Sequence, residues 1–467
     1  MKKSFTPPYP KPQAKKNKPL KRLIRGWKSW TDVLYEKSYT AKLGVSWFPA
    51  AKQFLIGDAK LVDKVLFNKN NQFPKHKILA KLLTPAIGSK SVFITNGELW
   101  KEQRKMMSQA FLHTNLKRSF DMMAEASDVM IDKLKKRSGS NIKIDLYMTH
   151  VTADIIYRTI FSKSLSSEEA QIVYKNFHDY QTFAQRRFIL NLFRLPTFFS
   201  GKLAKKHGAQ IRNIFTPHIT KRYGHYHSLL EKEKNEHKDS DILDSLLRSK
   251  SPNDGRHFTV EEIIDQVAII FLAGHETSAA SLSWSLYLIA KSADLQEELY
   301  QEIKENPIQE HEDIKHLSKL KNVFQESLRL YPPVSFFMRQ SSCPLKWRDK
   351  LIRTKDILVI SPWLIQRSKN HWKNPHEFDP ARFDTADKEA QLRCPMHENS
   401  IKDGYLPFGK GPRICIGAGF AMQEAMIILS NILREFKILY KENDEPEVVS
   451  RVTTRSKNGI YLYLEER

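Results

Sequence analysis

Apolar and polar positions alternate in two short runs near the start of the chain, Val45–Phe48 and Gln53–Ile56, each bounded by Gly or Pro. Such runs predict strands. From Asn96 to about Lys250 the apolar positions recur at helical spacing between charged faces. This stretch predicts a series of helices, broken near Ser138–Ser140, Leu195–Ser200 and Ser249–Gly255. A longer apolar segment follows Phe258. Thr259 with Glu262 three residues on marks a capped helix start, and no proline lies between Phe258 and Ser292. At 1.5 Å per residue, Phe258–Ser292 predicts a helix of roughly 50 Å. Several of its faces are apolar, so it should run through the core. A further helix is expected over Leu317–Tyr331, stopped by Pro332-Pro333, then a strand over Ile357–Ile360 and a last helix after Gly417. In the tail Val448–Arg467, the turn signal Lys457-Asn458-Gly459 between alternating runs predicts a hairpin. The fold class is therefore mainly α, with a smaller β-rich region from the early strands, the Ser335–Ser361 segment and the tail.

Composition narrows this picture. The chain has 467 residues, 41% of them hydrophobic and 11% aromatic, enough for a sizeable core. The first nineteen residues, rich in Lys and Pro, predict a disordered basic tail, and residues 20–467 a single domain. That tail has no apolar stretch of the signal-peptide kind. No apolar run of about 18 residues exists anywhere, so no transmembrane helix is expected. The basic segment Leu20–Tyr35 reads as a first helix behind a solvated tail, with weak contact to a membrane surface as the alternative.

The formal charge of +24 predicts attraction to acidic partners or anionic surfaces. The basic residues read as scattered, without zinc-finger spacing or an RNA-binding aromatic motif, so nucleic acid is set aside as a partner. Three cysteines, Cys343, Cys394 and Cys415, have no CxxC spacing. They argue against a disulfide scaffold or zinc site and fit a reducing, cytoplasmic setting. A monomer is expected.

The densest chemistry lies in FGKGPRICIG, Phe408–Gly417. Gly409, Gly411 and Gly417 permit tight backbone geometry and close approach of another group. Cys415 precedes the last helix, where the helix dipole and free N–H groups should lower its pKa, and Arg413 adds a positive charge. Three readings remain open on these residues alone: a nucleophile, for which no His base signature accompanies the loop, a buried structural cysteine, or a thiolate ligand to haem iron.

Phe408, Gly411, Arg413, Cys415 and Gly417 meet every fixed position of F-x-x-G-x-R-x-C-x-G, and here the chain resembles the cytochrome P450 family of haem-thiolate monooxygenases. The resemblance implies that Cys415 is the axial ligand of haem b, that Phe408 tunes the sulfur and that Arg413 pairs with a propionate. Other motifs follow in the family's order. Glu326 and Arg329 form E-x-x-R on one helix face. With Arg382 of the Pro380–Phe383 segment they imply a buried charge network. Trp100 and Arg104 form W-x-x-x-R and, with Arg339, imply further propionate contacts. Ala273-Gly274-His275-Glu276-Thr277-Ser278 resembles the oxygen-activating segment. There Gly274 would leave room for O2, Thr277 would bond back to the Ala273 carbonyl, and Glu276 and Thr277 would relay protons. His275 has no assigned role and reads as solvated or hydrogen-bonded.

The resemblance covers about residues 40–467 and implies insertion of one oxygen atom of O2 into an apolar, lipid-like substrate of the fatty acid, steroid or terpenoid class. Pocket positions implied are the loop Leu79–Ile94, Ile269, Ile270, Ala273 and Val334–Phe337, with Phe336 among them. Electrons would come ultimately from NAD(P)H through a separate acidic ferredoxin or flavodoxin, docked near Lys410 and Arg413. The chain ends soon after the tail strands, so no fused reductase is expected. A peroxide-driven peroxygenase or isomerase and a non-catalytic haem protein are the alternatives. The intact Glu276-Thr277 pair speaks against both.

Overall fold

A computed structural model describes residues 5–68, 70–231, 241–384, 403–441 and 445–467; Cys394 lies outside them. Its elements in chain order begin with α1 (Pro19–Lys28), β1 (Leu43–Trp47), β2 (Lys52–Ile56), α2 (Ala59–Phe67), α3 (Lys77–Ile87), α4 (Gly97–Ser108), α5 (His113–Lys135), β3 (Asn141–Lys143) and α6 (Ile144–Phe161). Next come α7 (Ser167–Leu192), α8 (Phe198–Glu231), α9 (Ile242–Arg248), α10 (Val260–Ala290), α11 (Ala293–Glu305) and α12 (Ser318–Leu330). The chain closes with β4 (Phe337–Arg339), β5 (Leu345–Trp347), β6 (Lys350–Ile352), β7 (Ile357–Ile360), α13 (Pro362–Ile365), α14 (Ala418–Glu435), β8 (Phe436–Leu439), β9 (Val448–Ser450), β10 (Thr454–Ser456) and β11 (Tyr461–Glu466).

The helix predicted over Phe258–Ser292 is α10. Thr259 and Glu262 close its start reciprocally, side chain to backbone in both directions. It packs on α6, α8, α12 and α14 and buries Trp284, Leu286 and Tyr287 completely. Its serines survive in this apolar setting by bonding back one turn: Ser281 to the Thr277 carbonyl at 2.8 Å, Ser283 to Ala279 at 2.7 Å, Ser285 to Ser281 at 2.8 Å. The expected helix over Leu317–Tyr331 is α12.

The early strands join β4 and β7 of the Ser335–Ser361 segment in one sheet, ordered β1-β2-β7-β4, with β2 and β7 parallel, while β5 and β6 of that segment pair separately. The tail does not share it. Its hairpin is β9–β10, turning at residues 451–453, and Lys457-Asn458-Gly459 instead leads into β11, which pairs with β3 and β8. The turn chemistry at Asn458-Gly459 was legible, but the partner of β11 is set by strands far away in sequence.

The expectation of a disordered tail is also corrected. From Phe5 onward the chain lies against the body: Phe5 bridges to Phe378 with ring centroids 5.7 Å apart, Tyr9 stacks on His376 at 4.4 Å, and the Tyr331 hydroxyl donates to the Pro8 carbonyl at 2.7 Å. Proline restricts the unfolded tail, so ordering it costs less entropy, and its two aromatic rings supply the burial.

Candidate functional site

The Phe408–Gly417 loop folds back on itself. The Cys415 amide donates to the Phe408 carbonyl at 2.8 Å, and the Ile414 amide to Gly411 at 2.9 Å. Gly411 sits at φ +76°, and a Cβ there would lie 2.7 Å from the Leu66 carbonyl oxygen. Both the dihedral and the contact with α2 therefore require glycine. Cys415 presents free surface, yet burial pushes its thiol up, opposed by the Gly417 amide and by Arg104. A group that is accessible but enclosed by protein faces an interior recess. The lowered pKa expected from the helix start is thus outweighed by desolvation in the protein alone.

Around this recess four cations gather. Desolvation first, and then the charges of Arg413, Arg339 and Arg104, depress the affinity of Lys75 for protons, while burial also lowers that of Arg104. Burial alone brings Arg339 down to about 10, and burial followed by its two arginine neighbours brings Arg413 down to about 9. Among the described residues none of the four has an ion pair with a carboxylate. Arg413 lies over the Trp100 ring at 4.1 Å and donates to the Thr95 carbonyl at 2.9 Å, while its Nη1 has no partner. Lys75 donates to the Phe93 carbonyl and sits 3.6 Å over the Phe93 ring. Four clustered cations without an anion are costly unless a bound group supplies negative charge. A haem carries two carboxylates, so the donor set fits that group. Lys75 was not found from the sequence: it follows Pro74 in a stretch without periodicity or motif.

On α10, Ala273 is exposed in the middle of a mostly buried helix, and Thr277, one turn on, is partly open. The Thr277 hydroxyl donates to the Ala273 carbonyl at 2.6 Å. These two positions share one helix face turned to open space. Gly274 does not share it. A Cβ at Gly274 would meet Ile156 of α6 at 3.1 Å, so this glycine serves the close approach of two helices rather than room for O2. Glu276 is buried and also points away. Its Oε1 accepts from Gln181 of α7 at 2.9 Å and Thr453 at 2.7 Å, and lies 2.7 Å from Arg455 of β10. His275 is a core residue, not a solvated one: Nδ1 meets the Phe271 carbonyl at 2.9 Å, and the ring packs against Phe177.

The E-x-x-R pair is fully buried. Arg329 donates from Nε to Glu326 at 2.6 Å and from Nη2 at 2.8 Å, and also reaches the carbonyls of Gln366, Pro375 and Glu377. Arg382 approaches Glu326 at 3.4 Å and donates to the Lys373 and Asn374 carbonyls. A second residue, unsuspected from sequence, ties this cluster to the cysteine loop. The Gln366 amide donates to the Leu328 and Arg329 carbonyls at 3.0 and 2.9 Å, and its Oε1 accepts the Leu406 amide at 2.8 Å. The Gly409 amide then donates to the Leu406 carbonyl at 3.1 Å.

The pocket positions divide. Ile270 belongs to the main core, and Val334 is half-buried. Phe336 packs edge-on against Trp30 at 5.0 Å and beside Phe188. Phe337 lies under the cysteine loop, 3.7 Å from where a Gly409 Cβ would stand, and packs with the β-sheet core.

The chain is 28% identical over 460 residues to a cytokinin hydroxylase of Arabidopsis thaliana, covering 95% of this chain and 83% of that protein. It is 28% identical over 433 residues to human cytochrome P450 4V2, covering 86% and 78% respectively. The crystal structure of the cytochrome P450DA heme domain superposes with a TM-score of 0.79 at 19% identity, covering 98% of each chain. The family model described as Cytochrome P450 matches residues 32–463. The protein belongs to the cytochrome P450 family and has its fold: it is a haem-dependent monooxygenase that uses O2 and electrons from a reductant.

Proposed function

We propose that this protein hydroxylates an apolar, lipid-like molecule of the fatty acid, steroid or terpenoid class, and that Cys415 would hold the iron of haem b through its sulfur. The observation that carries the site assignment is the pairing of a recessed thiol with four basic side chains that lack a carboxylate partner among the described residues. Bound there, haem would supply the activation of O2. Arg104, Arg339, Arg413 and Lys75 would hold the propionates, Trp100 supports Arg413, and Phe408 and Gly417 shape the surroundings of the sulfur.

Ala273 and Thr277 line the open face of α10, with Val334 and Phe336 as further lining and Ile270 behind them. Thr277 holds its hydroxyl proton on the Ala273 carbonyl and passes protons inward. Glu276, engaged with Gln181, Thr453 and Arg455, takes up protons from the α7–β10 side. Glu326, Arg329 and Arg382 fix the loop that carries Cys415.

The electron donor in this reading is a separate acidic ferredoxin or flavodoxin drawing on NAD(P)H, in the cytoplasm. The docking role expected of Lys410 and Arg413 is revised: Lys410 pairs with Asp63 at 2.6 Å and Asp403 at 3.3 Å, and Arg413 turns inward. Exposed Lys105 of α4 takes their place. The test is the visible spectrum of reduced protein under carbon monoxide. A strongly red-shifted Soret band, lost in Cys415→Ser, is the expected result. An unshifted haem band in the wild type refutes the ligand assignment.

A further inference from the structure

Arg367, just past the end of α13, is among the largest fully buried side chains, at 1% exposure. Among the described residues it has no carboxylate partner, and its Nε and Nη1 have no hydrogen-bond acceptor. Its neighbour Arg329 is the opposite case: all three guanidinium nitrogens are engaged, with Glu326 and with three backbone carbonyls. Burial brings Arg367 down only to about 10, so it stays charged at neutral pH.

The surroundings of Arg367 are aromatic. Its guanidinium carbon lies 3.7 Å from the centre of the Trp363 ring, 5.6 Å from that of Tyr331 and 5.9 Å from that of Tyr9. The rings offset part of the charge but leave the two N–H groups unbonded. His376 completes the wall. It stacks on Tyr9 at 4.4 Å and meets Tyr39 at 6.0 Å, and the Tyr39 hydroxyl accepts from Trp363 Nε1 at 3.1 Å. The Nδ1 of His376 is a third buried atom without a partner. Burial, and then the charges of Arg367 and Arg329, hold this imidazole down to about 4, so it is neutral at pH 7. The N-terminal segment closes the site through Tyr9 and through the Pro8 carbonyl, which accepts from the Tyr331 hydroxyl at 2.7 Å.

The charges around it do not balance. Glu326 is shared by Arg329 and Arg382, so Arg367 adds a further cation to a buried group that is already positive. A buried cation without a counter-charge is costly, and each orphaned buried N–H adds to that cost. Water satisfies the N–H groups but leaves the charge. A small anion answers both. Three N–H groups suffice for a halide, whereas sulfate or phosphate would bury several oxygens among rings that offer no donor.

We propose that Arg367 and His376 hold a small inorganic anion of the halide type, chloride in ordinary buffers, beneath Tyr9. Arg367 donates from Nε and Nη1, and His376 donates from Nδ1 in the tautomer that carries its proton there. The bound ion ties the N-terminal segment to the end of α12 and to the chain after α13. None of these residues belongs to the basic cluster around Cys415, so the inference does not depend on the haem assignment.

The test uses the full chain with its cofactor. Thermal scans in sodium chloride and in sodium gluconate at equal ionic strength separate a bound halide from screening. Chloride at about a hundredfold excess over its dissociation constant should raise Tm by about 2–3 °C relative to gluconate. Arg367→Met should abolish that difference. Tyr9→Ala, which leaves Arg367 in place, should shift the chloride titration about tenfold to higher concentration, and it serves as the variant if Arg367→Met does not fold. Crystals soaked in sodium bromide should show an anomalous peak within hydrogen-bond distance of Arg367 Nε or Nη1. Equal Tm values in the two salts overturn the proposal, as does an ordered water in place of the bromide peak. A bromide peak without any chloride dependence of Tm marks an adventitious ion only and overturns it too. A chloride effect kept in full by both variants puts the ion elsewhere and refutes the assignment to Arg367.

Discussion

Gln366 offers the sharpest test of how the buried charge cluster reaches the cysteine loop. Gln366→Leu keeps roughly the same volume but removes two donated bonds and one accepted bond. The Leu406 amide, buried with its residue, then has no acceptor, and two carbonyls at the end of α12 lose a donor. Each orphaned buried group costs about 1–3 kcal/mol. The better fit of a leucine in apolar surroundings offsets part of that, leaving a net loss of about 2–4 kcal/mol. At about 2.1 cal/mol/K per residue, 467 residues unfold with an entropy near 1 kcal/mol/K. The expected fall in Tm is therefore about 2–4 °C. Because Leu406 leads directly into the loop, the variant should also release its haem faster. Both are measured on one preparation, by thermal scanning and by transfer of haem to an apo-globin acceptor. A Tm within about 1 °C of wild type, together with unchanged haem release, would refute the proposed link.

Two further predictions follow from buried carboxylates. Arg455→Gln leaves Glu276 with hydrogen bonds but no ionic partner. Product formed per pair of electrons consumed should then fall up to about tenfold, with more peroxide released, while the carbon monoxide band is unchanged; unaltered coupling would remove Arg455 from the proton path. Glu424 of α14 is fully buried, and burial raises its carboxyl to about 8 against the opposing hydrogen bond from Ser278. The folded state therefore binds more protons than the unfolded state between pH 4.5 and about 8, so stability falls as pH rises through that window. Glu424→Gln should gain Tm relative to wild type as pH goes from about 5 to 8, and parallel curves for the two proteins would contradict this.

Local patterns carried much of the reading. The capping pair Thr259 and Glu262, the apolar length of α10 and the positive φ of Gly409 and Gly411 before Cys415 are local features, so the chain spells them out directly. Spacing alone put Glu326 and Arg329 on one face and returned the Thr277 hydroxyl to Ala273.

What tertiary structure decided are the long-range partnerships. Gly274 could be read as open space or as helix contact, and Ile156, more than a hundred residues earlier, settles it. Glu276 could face Thr277 or Arg455, and the position of β10 turns it to the latter. Lys75 and Gln366 carry no local signature because their partners come from remote segments. Backbone periodicity fixes which face a side chain occupies, but burial and the pairing of charges depend on which other face arrives there.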